Sequence, residues 1–139
     1  GIMAPGGMLV RCATDGSRCE IVACGMRNAC DIDFTVDGEA MTYDSDMEWD
    51  IGAPWYRAPR VLHLVEGGDF GWRSGSAKLH PTAIDTLPAV VDTDPASPVG
   101  VTFARDSSFP APWRDRLFIA DWSYGRILAV DLVRELREQ

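Results

Sequence analysis

An acidic run with a two-residue spacing is the part of this sequence best suited to chemistry. Its four carboxylates are Asp44, Asp46, Glu48 and Asp50. In an extended segment, residues two apart lie on one side, and clustered carboxylate oxygens suit a hard cation such as calcium. The run is not an EF-hand, because Trp49 stands where that loop requires glycine. The alternative is a solvated acidic loop that pairs with Arg57 and Arg60.

The adjacent residues Arg27 and Asn28 are the second candidate. A guanidinium can donate two parallel hydrogen bonds to an anionic group. The alternative is an internal salt bridge between Arg27 and the acidic run. His63 lies in an apolar stretch and is predicted to be a core histidine rather than a ligand. No residue is assigned a catalytic role, because Ser123 lacks the first glycine of a nucleophile elbow.

Composition and charge exclude several classes of protein. The chain has 139 residues and a net charge of −8, which argues against nucleic acid and against an anionic membrane surface as partners. No apolar run approaches the roughly 20 residues needed to span a bilayer, so no membrane insertion is expected. Residues 1–5 have neither a basic nor an apolar stretch, so no signal peptide is predicted.

Four cysteines fall within one short segment, at Cys12, Cys19, Cys24 and Cys30. Cys12 and Cys19 flank a turn at Asp15-Gly16, so they could face each other across a hairpin, where a disulfide is geometrically allowed. The alternative is that all four are small buried residues that are kept reduced. The spacing does not decide between the two.

Alternating apolar and polar residues predict a series of short β-strands. The predicted strands are 8–12, 19–24, 30–36, 39–43, 60–65, 87–92, 99–104, 116–121 and 126–131. Asp37-Gly38 is a strong hairpin signal, and residues 44–58 are predicted to form a long loop. The last three strands resemble those at 32–36, 40–43 and 60–65, which indicates a repeat at a spacing of about 65 to 80 residues.

A repeated four-stranded antiparallel sheet is the unit from which a β-propeller is built. The sequence therefore predicts an all-β fold, a partial propeller ring of about two to two and a half blades. The expected segments are 1–25 for the last two strands of one blade, 26–97 for a complete blade with the acidic loop, and 98–139 for three strands of the next. Open sheet edges with apolar faces are usually covered or paired, so a homo-oligomer is expected.

Several motifs resemble one family of enzymes. They are Gly25-Met26-Arg27-Asn28, the acidic loop, Gly67-Gly68-Asp69-Phe70-Gly71-Trp72, Leu117-Phe118-Ile119-Ala120-Asp121 and Gly125-Arg126-Ile127. Together they look like the soluble quinoprotein glucose dehydrogenases, which are six-bladed propellers that hold pyrroloquinoline quinone and calcium and oxidise sugars. A closer resemblance is to propeller domains of large bacterial proteins named as membrane-bound dehydrogenases, often fused to cytochrome c domains. The likeness runs from Gly7 to Leu132.

The resemblance implies pyrroloquinoline quinone and calcium as cofactors, a sugar or other small molecule as ligand, and a periplasmic or extracellular location. By position, the implied cofactor-binding residues are Arg27, Asn28, Arg57 and Arg126, and the implied calcium loop begins at Asp44. Two positions depart from the family, because its proline is Ala29 here and its cofactor-binding lysine is Ser123. The family's catalytic histidine would lie before Gly1, so this chain by itself is expected to be an inactive fragment or degenerate member of the class.

Two other functions remain open from the sequence. One is a non-catalytic module that binds calcium or a small ligand without redox chemistry. The other is a structural propeller segment that associates with itself. An absorbance change on adding the quinone would favour the redox function, whereas affinity for calcium or sugar without that change would favour the binding module.

Overall fold

The computed structural model describes residues 6–45, 57–73, 77–78 and 83–133. Within these ranges the strands are β1 (Gly7–Cys12), β2 (Cys19–Met26), β3 (Ile32–Phe34), β4 (Ala40–Asp44), β5 (Arg60–Leu64), β6 (Gly68–Asp69), β7 (Trp72–Arg73), β8 (Ala77–Lys78), β9 (Val91–Asp92), β10 (Pro98–Phe103), β11 (Leu117–Asp121) and β12 (Arg126–Val130). A short helix, α1, covers Ala111–Arg114. In the part of the chain described, no helix has both the length and the apolar character that a membrane crossing requires.

The strands form three main sheets, and the first of them is completed by β6, which follows β5 of the central sheet along the chain. The central sheet has the order β3-β4-β5-β9, and all its neighbours are antiparallel. The sheets on either side have the orders β1-β2-β6 and β10-β11-β12, and β7 pairs with β8. This arrangement confirms the predicted all-β fold with recurring antiparallel sheets.

The core consists of two apolar layers, one on each face of the central sheet. Strand β5 serves both layers, since Leu62 packs with residues of β2 whereas its neighbour Val61 packs with residues of β10 and β11. Successive side chains of a strand point to opposite faces, so a sheet that is covered on both sides buries nearly every position. All five residues of β4 are accordingly buried.

Two aspartates join the central sheet to the one that follows it. Asp31 and Asp33 accept hydrogen bonds from the backbone N–H groups of Val101 and Phe103, at 3.2 and 2.6 Å. These carboxylates supply the acceptors that the exposed edge of β10 needs. Burial tends to raise the pKa of Asp33, but the N–H groups of Phe103 and Phe34 outweigh it and hold that pKa below the ordinary value.

Several predicted boundaries are wrong. Strand β3 covers only Ile32–Phe34 of the predicted 30–36, and the chain turns directly after it, where the carbonyl of Thr35 accepts a hydrogen bond from the N–H of Gly38 at 3.0 Å. The predicted strand 87–92 is reduced to β9. The sequence predicts Asp44 to lie in a loop, but it is the last residue of β4.

The cysteines divide into two kinds. Cys12 and Cys19 form a disulfide that joins opposite positions of β1 and β2, so the bridge that the sequence allowed across the hairpin is present. Cys24 is partly buried and Cys30 is exposed, and both are free thiols. The alternative prediction, four buried and reduced cysteines, is wrong.

Candidate functional site

Asp44 is the centre of the site, and its side chain is completely buried. Its Oδ1 accepts hydrogen bonds from the backbone N–H groups of Arg27 and Asn28, both at 2.9 Å. Its Oδ2 accepts from Nη2 and Nε of Arg60, at 3.2 and 3.3 Å, which makes a buried ion pair. Arg60 also donates to the carbonyl of Gly25 at 3.4 Å. The chain that leaves β2 is thus tied to the end of β4.

This arrangement fixes the backbone of both predicted cofactor-binding neighbours. Arg27 directly follows β2 and is partly buried, and its Nη1 donates to Ser45 Oγ at 3.0 Å. Within the described ranges, no ion pair involves Arg27. Asn28 is exposed. Both residues therefore lie at one end of the central sheet, where the buried carboxylate of Asp44 binds their backbone N–H groups.

The same network recurs in the third sheet. Asp121, the last residue of β11, is buried, and its Oδ1 accepts from the N–H groups of Ser97 and Ser123 at 2.8 and 2.9 Å. Its Oδ2 accepts from Arg126 Nε at 2.7 Å, and Arg126 also donates to the carbonyl of Pro95 at 3.0 Å. As in the first network, the aspartate accepts from two backbone N–H groups and one arginine, although Ser97 and Ser123 belong to separate segments.

The recurrence assigns a structural partner to Arg126. Asp121 and Arg126 face each other across β11 and β12, as Asp44 and Arg60 do across β4 and β5. Burial tends to raise the pKa of Asp121, but hydrogen bonds from the Ser97 N–H and from Arg126 hold that pKa below the ordinary value. Arg126 is therefore engaged in an ion pair of its own sheet. Its contact with the cofactor stays a prediction.

Arg57 lines a cleft of about 510 Å³ along β9, together with Phe70, Val90 and the Asp44 partner Arg60. Neither Arg27 nor Asn28 takes part in that lining. Of the four predicted cofactor-binding residues, the sequence neighbours Arg27 and Asn28 share the contact with Asp44. Among the described residues, no hydrogen bond or ion pair joins Arg57 or Arg126 to them.

The predicted calcium site falls mainly outside the described residues, because Asp46, Glu48 and Asp50 belong to the segment 46–56. Their role stays a prediction. Both oxygens of Asp44 are occupied by N–H donors and Arg60, so calcium binding by Asp44 does not fit these contacts. Among the described residues, no three metal-ligating side chains converge.

His63 is not the core residue that the sequence predicts. Its Nε2 lies 2.6 Å from Glu39 Oε2, and both side chains are partly exposed. The pair borders a cleft of about 380 Å³ that Val36 and Phe103 also line. Because β4 and β5 are antiparallel, this cleft lies at the opposite end of the sheet from Asp44.

Pairing of the acidic run with Arg60 was one of the alternatives from the sequence, whereas the ion pair of Asp121 with Arg126 and the recurrence of the Asp–Arg pair were missed. A signal for them was present, because an aspartate ends the second strand of each repeat and an arginine begins the third. Aligning the repeats on these two positions pairs Asp44 with Asp121 and Arg60 with Arg126.

A solved enzyme structure has a fold similar to that of this chain. No protein-family model and no curated protein matches the chain. The PQQ-bound form of aldose sugar dehydrogenase (Adh) from Streptomyces coelicolor is similar to it, with a TM-score of 0.69 and 17% sequence identity. The similarity covers 92% of this chain but 36% of that protein. The chain therefore has the all-β fold of part of a propeller, as the sequence predicts.

Proposed function

We propose that this chain forms the cofactor-facing part of a sugar-oxidising quinoprotein propeller, in which Arg27 and Asn28 contact pyrroloquinoline quinone. The observation that carries the proposal is the buried Asp44 network, which fixes the backbone of these two residues at the end of the central sheet. The likeness to a propeller that is itself PQQ-bound supports the choice of cofactor.

The chemistry of Arg27 fits an anionic group. Its described side-chain hydrogen bond goes to the neutral Ser45, so its positive charge is not cancelled by a carboxylate within the described ranges. A charge-assisted hydrogen bond in a partly buried position contributes about 1.5–3 kcal/mol. The side-chain amide of Asn28 adds a donor and an acceptor next to it.

The roles of the chain's own residues follow from these positions. Pyrroloquinoline quinone, when bound, supplies the two-electron acceptor for the oxidation of a sugar. Arg27 neutralises a carboxylate of the quinone, Asn28 orients it, and Asp44 holds both donors in place without touching the ligand. Ser123 is neutral where the resembled family has a lysine, so one such contact is lacking, and binding should be weaker by about one to two decades.

The test is a calorimetric titration of the protein with pyrroloquinoline quinone. We expect a complex of modest affinity, weaker than micromolar, whose affinity falls at least about ten-fold in Arg27→Ala. Arg18→Ala is the matched control, because Arg18 is an exposed arginine beyond β1, and it should bind as the unaltered protein does. Equal affinities for the two variants, or no binding to the unaltered protein, would refute the proposal.

A further inference from the structure

Two solvent-exposed aromatic side chains lie on one tight turn. The turn between β11 and β12 is Trp122-Ser123-Tyr124-Gly125, and 77% of Trp122 and 65% of Tyr124 is exposed. Single exposed apolar residues are ordinary on protein surfaces. Two large exposed rings separated by one residue offer aromatic area of the kind that proteins use to bind ligands with an apolar face.

The backbone of this turn is firmly held. The N–H of Trp122 donates to the Ser97 carbonyl at 2.9 Å, and the N–H of Ser123 donates to the buried Asp121 at 2.9 Å. The guanidinium of Arg126 lies 4.9 Å from the centre of the Tyr124 ring. A ligand that binds here meets a turn whose backbone is already ordered by folding, which lowers the entropic cost of binding.

Strand directions place the turn at the same end of the molecule as the proposed cofactor contacts. Asp31 and Asp33 bind positions 101 and 103 in the same order, so β3 and β10 run in parallel. Strands β4 and β11 are antiparallel to β3 and β10, so they also run parallel to each other. Asp44 and Asp121 end these strands, and the turn therefore follows β11 at the end where Arg27 lies.

The chemistry of the turn selects a neutral ligand. None of its four residues is charged, and the adjacent Arg126 is neutralised by Asp121 at 2.7 Å. Ser123, exposed between the two rings, adds a hydroxyl that can both donate and accept. Aromatic surface together with a hydroxyl matches a sugar ring, which presents C–H groups on its faces and hydroxyls at its edge.

We propose that Trp122 and Tyr124 form a stacking site for a pyranose ring, with Ser123 as a hydrogen-bonding partner of its hydroxyls. The proposal rests on the sugar-oxidising function proposed above and assigns the residues that hold its substrate.

Saturation-transfer NMR with methyl β-D-glucopyranoside, on the protein without quinone, tests the site. We expect saturation of the ring C–H protons and an affinity that falls by about ten-fold in Trp122→Ala, the effect of losing roughly 1.4 kcal/mol of stacking. Trp122→Phe should keep most of the affinity, since it retains an aromatic face. Trp113→Ala is the matched control, because Trp113 is also partly exposed but precedes β11 at the other end.

The outcomes separate this inference from the proposed function. Unchanged affinity in Trp122→Ala, equal binding of the acyclic sorbitol, or no saturation in the unaltered protein would overturn the stacking site. Quinone affinity is measured independently by calorimetry, so sugar binding that depends on Trp122 without any quinone binding would refute the quinoprotein function alone. Melting curves confirm that each variant is folded.

Discussion

Replacing Asp44 with alanine should destabilise the protein far more than replacing Asp121, although the two residues hold equivalent places. Both carboxylates are buried and accept two backbone N–H groups and an arginine. The two substitutions differ in how exposed the arginine is that loses its partner. The side chain of Arg60 is 10% exposed, whereas that of Arg126 is 32% exposed.

This difference in exposure sets how much each substitution lowers the free energy of unfolding. Removing one partner of a buried ion pair costs about 3–5 kcal/mol, because the other charge stays buried without compensation. Asp44→Ala falls in this range. Water can reach Arg126 after its partner is lost, so Asp121→Ala should cost less, about 1–3 kcal/mol. For a domain of this size, the melting temperature should fall by about 10–20 °C in the first variant and about 5–10 °C in the second.

Thermal unfolding followed by circular dichroism measures both changes. A double-mutant cycle with Arg60→Met should give a larger coupling energy for the Asp44 pair than the corresponding cycle with Arg126→Met gives for Asp121. Arg11→Ala is a control, because Arg11 forms a solvent-exposed ion pair and should leave the melting temperature nearly unchanged. Equal losses for the two aspartate variants, or no coupling between Asp44 and Arg60, would refute the reasoning.

Three further predictions concern stability. A hydrogen bond from Arg73 holds the pKa of Asp69 below its ordinary value, so the stability that Asp69 contributes is complete above about pH 4 and is lost as the pH falls further. In melts recorded between pH 2 and pH 7, Asp69→Asn should therefore flatten the acid side of the curve, and an unaltered curve would contradict this. Cys12→Ser removes the hairpin disulfide and should cost about 2–3 kcal/mol by urea unfolding, with reducing agent changing only the unaltered protein. Gly25→Ala should be poorly soluble or strongly destabilised, because its Cβ would lie 2.6 Å from a backbone nitrogen. Gly38→Ala shares the positive φ but meets no atom within 4 Å, so a loss of about 1–2 kcal/mol is expected there. Equal losses at the two glycines would contradict the steric explanation.

The elements that the sequence predicted well are those with a regular apolar period. Strands β4, β5, β11 and β12 lie close to their predicted positions because alternation sets which face of a sheet is buried. Strand β6 was not predicted, because Gly68 and Asp69 have low strand propensity. Its parallel pairing with β2 depends on residues brought close only by the fold.

The site was predictable only in part. The resemblance points to Arg27 and Asn28, and the fold adds the contact of their backbone with Asp44. The sequence favours a solvated loop for Asp44 itself, because carboxylates are seldom fully buried. Asp44 is buried together with Arg60, and the two residues, 16 positions apart in sequence, meet only in the folded chain. The aspartate that pairs with Arg126 could have been found by aligning the two repeats, in which Asp121 takes the place of Asp44.

The paired aspartate and arginine also fasten together the two ends of a connection, whatever its length. They join the ends of the long segment 45–59 in one sheet and of the short turn 122–125 in the next. Once the strand ends are fastened, the entropy lost in closing a longer loop grows only logarithmically with its length. The short turn is therefore a natural point for grafting: a foreign recognition loop inserted there should leave the register of β11 and β12 intact. By the same reasoning, the connection between the aspartate and the arginine can change during evolution in one repeat at a time, while the paired strands stay unchanged.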